Sequence, residues 1–320
     1  MVVGLLWLIF APWPDALEEA LGRKRIFLNA VFDGITLGAL YFLVASGFTL
    51  IFGLRRNVNL SHGSLYLLGG YIGFEVSEAT GWWLLAFPVV FVVVGALGLL
   101  LQHQVFRRME GEELRQTMVT IGLSVVLADL MLWIWGGQSR TLLSPEWLSG
   151  PAELPAISSI RSSGEVVWLK YPAVRIAILV AAIVMGVAMW LVLNRTRLGM
   201  LIRAGVDDRE MLAASGVRIQ VVFLAVFAFG AGLAGMGGIV GGTFQSLSPG
   251  EDTRFLLASL VVAIVGGMGS IPGAAIGALV IGLSEQLGLV YAPTYSVVFT
   301  FLIMAAVLAF RPQGLLGAGR

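Results

Sequence analysis

The chain has 320 residues, 58% of them hydrophobic and 12% charged, with a formal net charge of +1 and no cysteine. Soluble domains carry about 25% charged residues, so this composition defines an integral membrane protein, with no length left for a sizeable soluble domain. The near-zero charge gives no case for nucleic acid, and the lack of cysteine excludes disulfides and thiolate metal sites.

Residues 1–25 contain an apolar stretch without a basic leader, broken at Pro12 and Pro14. They read as an interfacial or partly inserted extension, not as a signal peptide. The remainder, 26–320, reads as one transmembrane domain. Apolar spans fall near 27–54, 58–79, 83–106, 117–136, 173–193, 220–243, 254–291 and 293–310. The 254–291 stretch is too long for one straight pass and is interrupted by GGMGSIPG (Gly266 to Gly273), which predicts two short helices or a re-entrant pair. The fold class is therefore all-α, a polytopic bundle of eight to nine crossings with one discontinuous segment.

Polar groups inside apolar spans are costly and mark a translocation path or structural hydrogen bonds. Asn57, Asn59, Ser61 and His62 crowd the start of the second span, Asp129 lies in the fourth, and Glu285 in the discontinuous segment. For His62 both a structural bond and a place on the substrate path stand open. The polar segment 138–172, with Pro145, Pro151, Pro155, Trp147 and Trp168, reads as an extracytoplasmic cap or docking surface, or as a tryptophan-anchored interfacial loop.

Residues 194–220 carry Arg195, Arg197, Arg203, Arg209 and Arg218, which make this loop cytoplasmic under the positive-inside rule. Arg55, Arg56, Arg107, Arg108, Arg115 and Arg311 fall on the same side, while Arg23, Lys24 and Arg25 land opposite, against the rule. Within the loop Asp207 is placed as an N-cap and Glu210 completes a capping box. Gly216 supplies a left-handed stop. The helix so bounded, near Asp208–Ser215, is about 12 Å long, too short to cross a bilayer and suited to docking on a soluble partner.

GAGLAG at 230–235 matches a dinucleotide fingerprint formally, but no strand precedes it and it lies inside a span. Packing explains it better: Gly230, Ala234, Gly238 and Gly242 recur every four residues, as do Gly269, Gly273 and Gly277, and each set is expected to form a smooth face for close helix approach. A Walker A loop is absent, since the two lysines, Lys24 and Lys170, stand in no such context, and with two histidines and no HExxH a zinc enzyme is not indicated.

NVNLSHGSLYLLGGY (Asn57 to Tyr71) resembles a signature of the membrane subunits of branched-chain amino-acid ABC importers. GITLGALYFLVASGFTLIFGL (Gly34 to Leu54), RAGVDDREMLAASG (203–216), Val261 to Leu287 and FRPQGLLG (Phe310 to Gly317) are similar to further blocks of that family, in the same order. The position after His62-Gly63, often Glu in the amino-acid permeases, is Ser64, so urea, short amides and aromatic acids stay open as substrates. The resemblance implies a multi-pass permease of the inner membrane that pairs with a second, related permease, two cytoplasmic ATPases and an extracytoplasmic solute-binding protein. ATP and Mg would be bound by the ATPases, with no cofactor in this chain. It also implies an ATPase contact at Arg203, Ala204, Asp207, Asp208, Glu210, Met211, Ala214 and Gly216. A self-sufficient secondary transporter or channel is the alternative.

Overall fold

The computed structural model describes residues 24–55, 58–160, 166–207 and 209–317. The N-terminal extension up to residue 23, Asn57 and Asp208 lie outside the described residues. Eleven α-helices are present among those described: α1 (Lys24–Arg55), α2 (His62–Thr80), α3 (Trp83–Gln104), α4 (Glu113–Trp135), α5 (Ala173–Arg195), α6 (Arg197–Asp207), α7 (Arg209–Ala214), α8 (Ile219–Phe244), α9 (Glu251–Gly266), α10 (Ile271–Tyr291) and α11 (Ser296–Phe310). The bundle is all-α apart from one hairpin. Seven helical stretches are long and apolar enough to cross a membrane, against the eight to nine expected. The difference lies in α2, whose polar first turns and glutamates dilute its hydropathy, and in α9, which at 16 residues is too short.

The interrupted segment resolves into two full helices joined by a tight turn. Gly267 (φ +105°) and Gly269 (φ +87°) take backbone angles that a side chain would oppose, and Ser270 then caps α10 by accepting from Gly273 N at 3.1 Å. The carbonyls left over at the end of α9 are taken up by the C-terminal segment: Leu315 N donates to Val265 O at 2.8 Å and Leu316 N to Gly266 O at 3.0 Å. The FRPQGLLG block thus closes the break in the bundle.

α8 is the central helix, and its glycines do not form the single face expected of Gly230, Ala234, Gly238 and Gly242. A Cβ at Gly230 would stand 2.8 Å from Gly47 O on α1, one at Gly238 would stand 2.5 Å from Gly70 N on α2, and one at Gly232 would stand 2.7 Å from the Phe91 ring on α3. Because α8 is enclosed by three helices, it needs small residues on every side. The second set also divides. Gly273 and Gly277 lie where α10 crosses α9, a Cβ at Gly277 falling 2.7 Å from Val262 O, whereas Gly269 belongs to the turn. Gly34 and Gly38 of α1 let α10 approach its backbone, with a Cβ at Gly38 falling 2.9 Å from Ala278 O.

The 138–172 segment folds as an antiparallel hairpin, β1 (Pro151–Ile160) and β2 (Val166–Pro172), beginning with the register Pro151↔Pro172 and slipping between Leu154 and Ser158. Trp147 is 70% exposed beside it, as an interfacial anchor or a docking face would be. Tyr171 ties the hairpin to α1: its hydroxyl donates to Asp33 Oδ1 at 2.9 Å and meets Thr36 Oγ1 at 2.9 Å, while Arg175 pairs with Asp33. Burial, helped by the Asp33 carboxylate and opposed by the Thr36 hydrogen bond and the Arg175 charge, pushes the Tyr171 hydroxyl up to about 12, so it stays a neutral donor at ordinary pH.

Candidate translocation path and coupling site

The N-terminal turns of α2 and α9 meet inside the bundle, beside the middle of α1. Asn59 Oδ1 accepts from Ser61 N (3.1 Å) and Ser61 Oγ (2.7 Å), forming the turn that starts α2. His62 is fully buried, its Nε2 lies 3.0 Å from Val44 O, and its ring stands edge-on to Phe48. These contacts tie the start of α2 to itself through Asn59 and Ser61, and to α1 through His62. Ser64 Oγ faces Asp252 Oδ2 at 3.4 Å, so a glutamate at position 64 would set a second carboxylate against Asp252.

From the same first turn of α9 projects a charged group that sequence reasoning caught only at Glu285. Arg254 reaches Glu285 Oε1 (3.2 Å), Glu251 Oε2 (3.5 Å) and Gln245 Oε1 (3.0 Å), and Tyr41 donates to Glu285 Oε2 at 2.6 Å. An aromatic wall backs it: Tyr66 stacks on Phe255 with ring centroids 4.1 Å apart, and Tyr41 meets Phe255 edge-on at 5.9 Å. Arg254 exposes 42% of its side chain while Glu285 and Glu251 expose 19% and 23%, so the arginine is the most exposed member of the group. Ser246, next to Gln245, is the one non-glycine residue at positive φ (+121°) among those described. Strained backbone of this kind gathers at functional sites. Asp129 takes no part, since it stands on the exposed face of α4.

At the opposite end of the bundle, the expected coupling helix is present but differently bounded. The chain is already helical from Arg197 to Asp207, so Asp207 is the last residue of α6, and α7 begins at Arg209. Thr196 Oγ1 starts α6 by accepting from Gly199 N at 3.1 Å, and buried Ile202 and Gly205 on one side give the helix a core to pack on, which carries it through to Asp207. The side chains of Asp207 and Glu210 lie outside what is described. α7 spans six residues and ends on Gly216 at φ +82°, the left-handed stop expected. Leu212 is 8% exposed and fixes α7, lying over Gly205 beside Leu54. Arg203, Ala204, Met211, Ala214 and Gly216 all face outward. A cleft of about 940 Å³ opens beside α7, lined by His103, Arg107, Glu110, Ala213, Arg218 and Gln220 among others. The contribution of the 103–116 segment to this surface was not foreseen from the sequence; its Arg107 and Arg108 served only to orient the spans.

Crossing helices around a charged internal group, with a short helix presented at one end, define a multi-pass membrane transport protein. Residues 30–308 match the family described as branched-chain amino acid transport system / permease component, and the chain belongs to that family. It is a transport subunit, not an enzyme. Similar proteins include the high-affinity branched-chain amino acid transport system permease protein LivH of Escherichia coli K12, 29% identical over 91% of this chain and 96% of the relative. BraD of Pseudomonas aeruginosa, named as a permease of the same kind of system, is 28% identical over the same shares. A probable LivH of Methanocaldococcus jannaschii is 25% identical over 94% of this chain and 95% of the relative. No solved structure matches the chain.

Proposed function

We propose that this chain is a permease subunit of an ATP-driven importer for branched-chain amino acids or a related small solute, seated in a bacterial-type inner membrane. It works with a second, related permease, two cytoplasmic ATPases that bind ATP and Mg, and an extracytoplasmic solute-binding protein. The observation that carries this reading is α7: six residues held from beneath by Leu212, with Met211 71% exposed above. A helix this short has little stability of its own, and anchoring it while leaving its outer face bare suits a surface pushed by another protein. The second permease is placed against the bare face of α4. There Asp129, about 9 Å from the end of the helix at 1.5 Å per residue, is exposed in a membrane-crossing segment, and a carboxylate there needs protein cover.

Reconstitution into liposomes with the two ATPases, the second permease and the binding protein tests the reading. ATP-dependent leucine uptake that needs all the components is the expected result. Uptake by this chain alone, without ATP, would instead establish a secondary transporter or channel.

A further inference from the structure

We infer that the Arg254–Glu285 ion pair, with Tyr41, Glu251 and Gln245, is the point in the path where the permease binds its solute, and that it selects zwitterions. This rests on the importer reading and narrows its substrate class. The argument is one of charge balance. Arg254 bridges helix α9 to Glu285 of α10 at 3.2 Å, and Glu285 is held in turn by Tyr41 of α1 at 2.6 Å. Three helices therefore meet on one charge pair whose arginine is partly exposed and whose carboxylates are mostly covered.

A solute that enters this pair must leave no partner stranded, because an unpaired charge in a low-dielectric interior is strongly disfavoured. A zwitterion meets that condition: its carboxylate takes the Arg254 guanidinium in a two-pronged contact, and its ammonium takes Glu285 or Glu251. A monoanion such as an aromatic acid would satisfy Arg254 and release a carboxylate without a counter-charge. Urea and simple amides carry no charge to offer either side. The Tyr66–Phe255 stack, 1% exposed at each ring, closes the inner side of the pair and keeps water from it. Gln245, which holds Arg254 at 3.0 Å from the strained turn at Ser246, supplies a neutral acceptor that keeps the guanidinium in place while its ionic partner changes.

The test uses the full complex in liposomes and compares leucine with 4-methylpentanoate, which is leucine without its ammonium group. The wild type is expected to move leucine at least tenfold faster. Arg254→Gln and Glu285→Gln are each expected to lower maximal leucine uptake at least tenfold and, because each strands the other's charge, to lower the melting temperature of the complex as well; the reversed pair separates the two effects. The reversed pair, Arg254→Glu with Glu285→Arg, keeps an ion pair but turns the site around against a fixed Glu251 and Gln245, so uptake should stay low. Full uptake by the reversed pair would mean the bridge only ties α9 to α10, and would overturn the inference. So would normal uptake in either single variant, or equal wild-type rates for the two solutes. If the wild-type complex moves no amino acid at all, the importer reading fails with it, and that outcome is distinct from the other three.

Discussion

Replacing Gly238 with alanine adds one methyl group at the place where α8 and α2 touch backbone to backbone. The new Cβ would stand 2.5 Å from Gly70 N and press on the Tyr66 carbonyl oxygen. Ordinary carbon contacts begin near 3.4 Å, so α2 must retreat by about 1 Å, and neither obstacle can rotate aside. Overpacking of this kind costs roughly 1–3 kcal/mol, and a rigid backbone obstacle puts Gly238→Ala at the upper end. Alanine returns up to about 1 kcal/mol as the better helix former, which leaves a net loss of about 2 kcal/mol. Gly186→Ala is the matched control. Its Cβ would lie 3.0 Å from the Phe42 ring, a side chain that can yield a few tenths of an ångström, so the helix-forming gain is expected to cancel the crowding. Thermal melts of the purified complex in detergent should show Gly238→Ala several degrees below wild type and Gly186→Ala within a degree or two of it. Coincident melting of the two variants would refute the packing argument.

Leu212→Ala removes the anchor of α7; buried leucine truncations cost about 2–5 kcal/mol, so uptake should collapse while the protein still inserts and the partner ATPases keep their basal activity, read by coupled uptake and hydrolysis assays. His62→Gln keeps a donor near Val44 O, and a neutral hydrogen bond contributes about 1 kcal/mol. If His62 only ties α2 to α1, reconstituted uptake should stay near wild type, and lost uptake with unchanged melting would place it on the path. Tyr171→Phe deletes the bonds to Asp33 and Thr36, and should speed proteolytic nicking of the hairpin with little change in the melting of the bundle. Asp129→Asn should weaken co-purification of the second permease if that carboxylate has a partner across the α4 face; unchanged co-purification would place the partner elsewhere.

The crossing helices were legible because membrane spans are written in composition, and the positions of α1, α3, α5 and α8 agree closely with their apolar runs. α6 was missed because five arginines between 194 and 220 drew attention to charge. The apolar side formed by Leu201, Ile202 and Gly205 is little more than one turn long and weak against that background. The hairpin was missed for another reason. Its strands carry three prolines, one of them in the middle of β1, and form a single pair, and such a ribbon is marginal on its own. Its stability comes from Tyr171 and Arg175 reaching Asp33, more than 130 residues away in sequence. Local pattern holds no trace of contacts made over that distance.

The charged group at Arg254 was readable in part, and the reason is geometric. Once GGMGSIPG is taken as a turn between two antiparallel helices, residues equally far from its centre are brought to the same level. Arg254 and Glu285 stand 16 and 15 residues from Ser270, and they are bonded at 3.2 Å. Two opposite charges placed symmetrically about a glycine-rich break in an apolar stretch are therefore a signal of their own. Each alone is a costly intrusion in a membrane helix, and folding the segment back makes each the remedy for the other. Tyr41 could not be found in this way, because its meeting with Glu285 depends on α10 lying against the glycine face of α1 at Gly34 and Gly38. Substituting those glycines should thus disturb solute binding as well as packing. With a Cβ at Gly38 crowding Ala278 O at 2.9 Å, Gly38→Ala pushes α10 outward and lengthens the Tyr41–Glu285 bond. Leucine uptake should then fall more steeply in Gly38→Ala than in a variant of equal melting temperature made at Gly73, where a Cβ meets only the Ile239 side chain. Equal losses of uptake at equal stability would show that the α1–α10 contact has no special hold on the charged group.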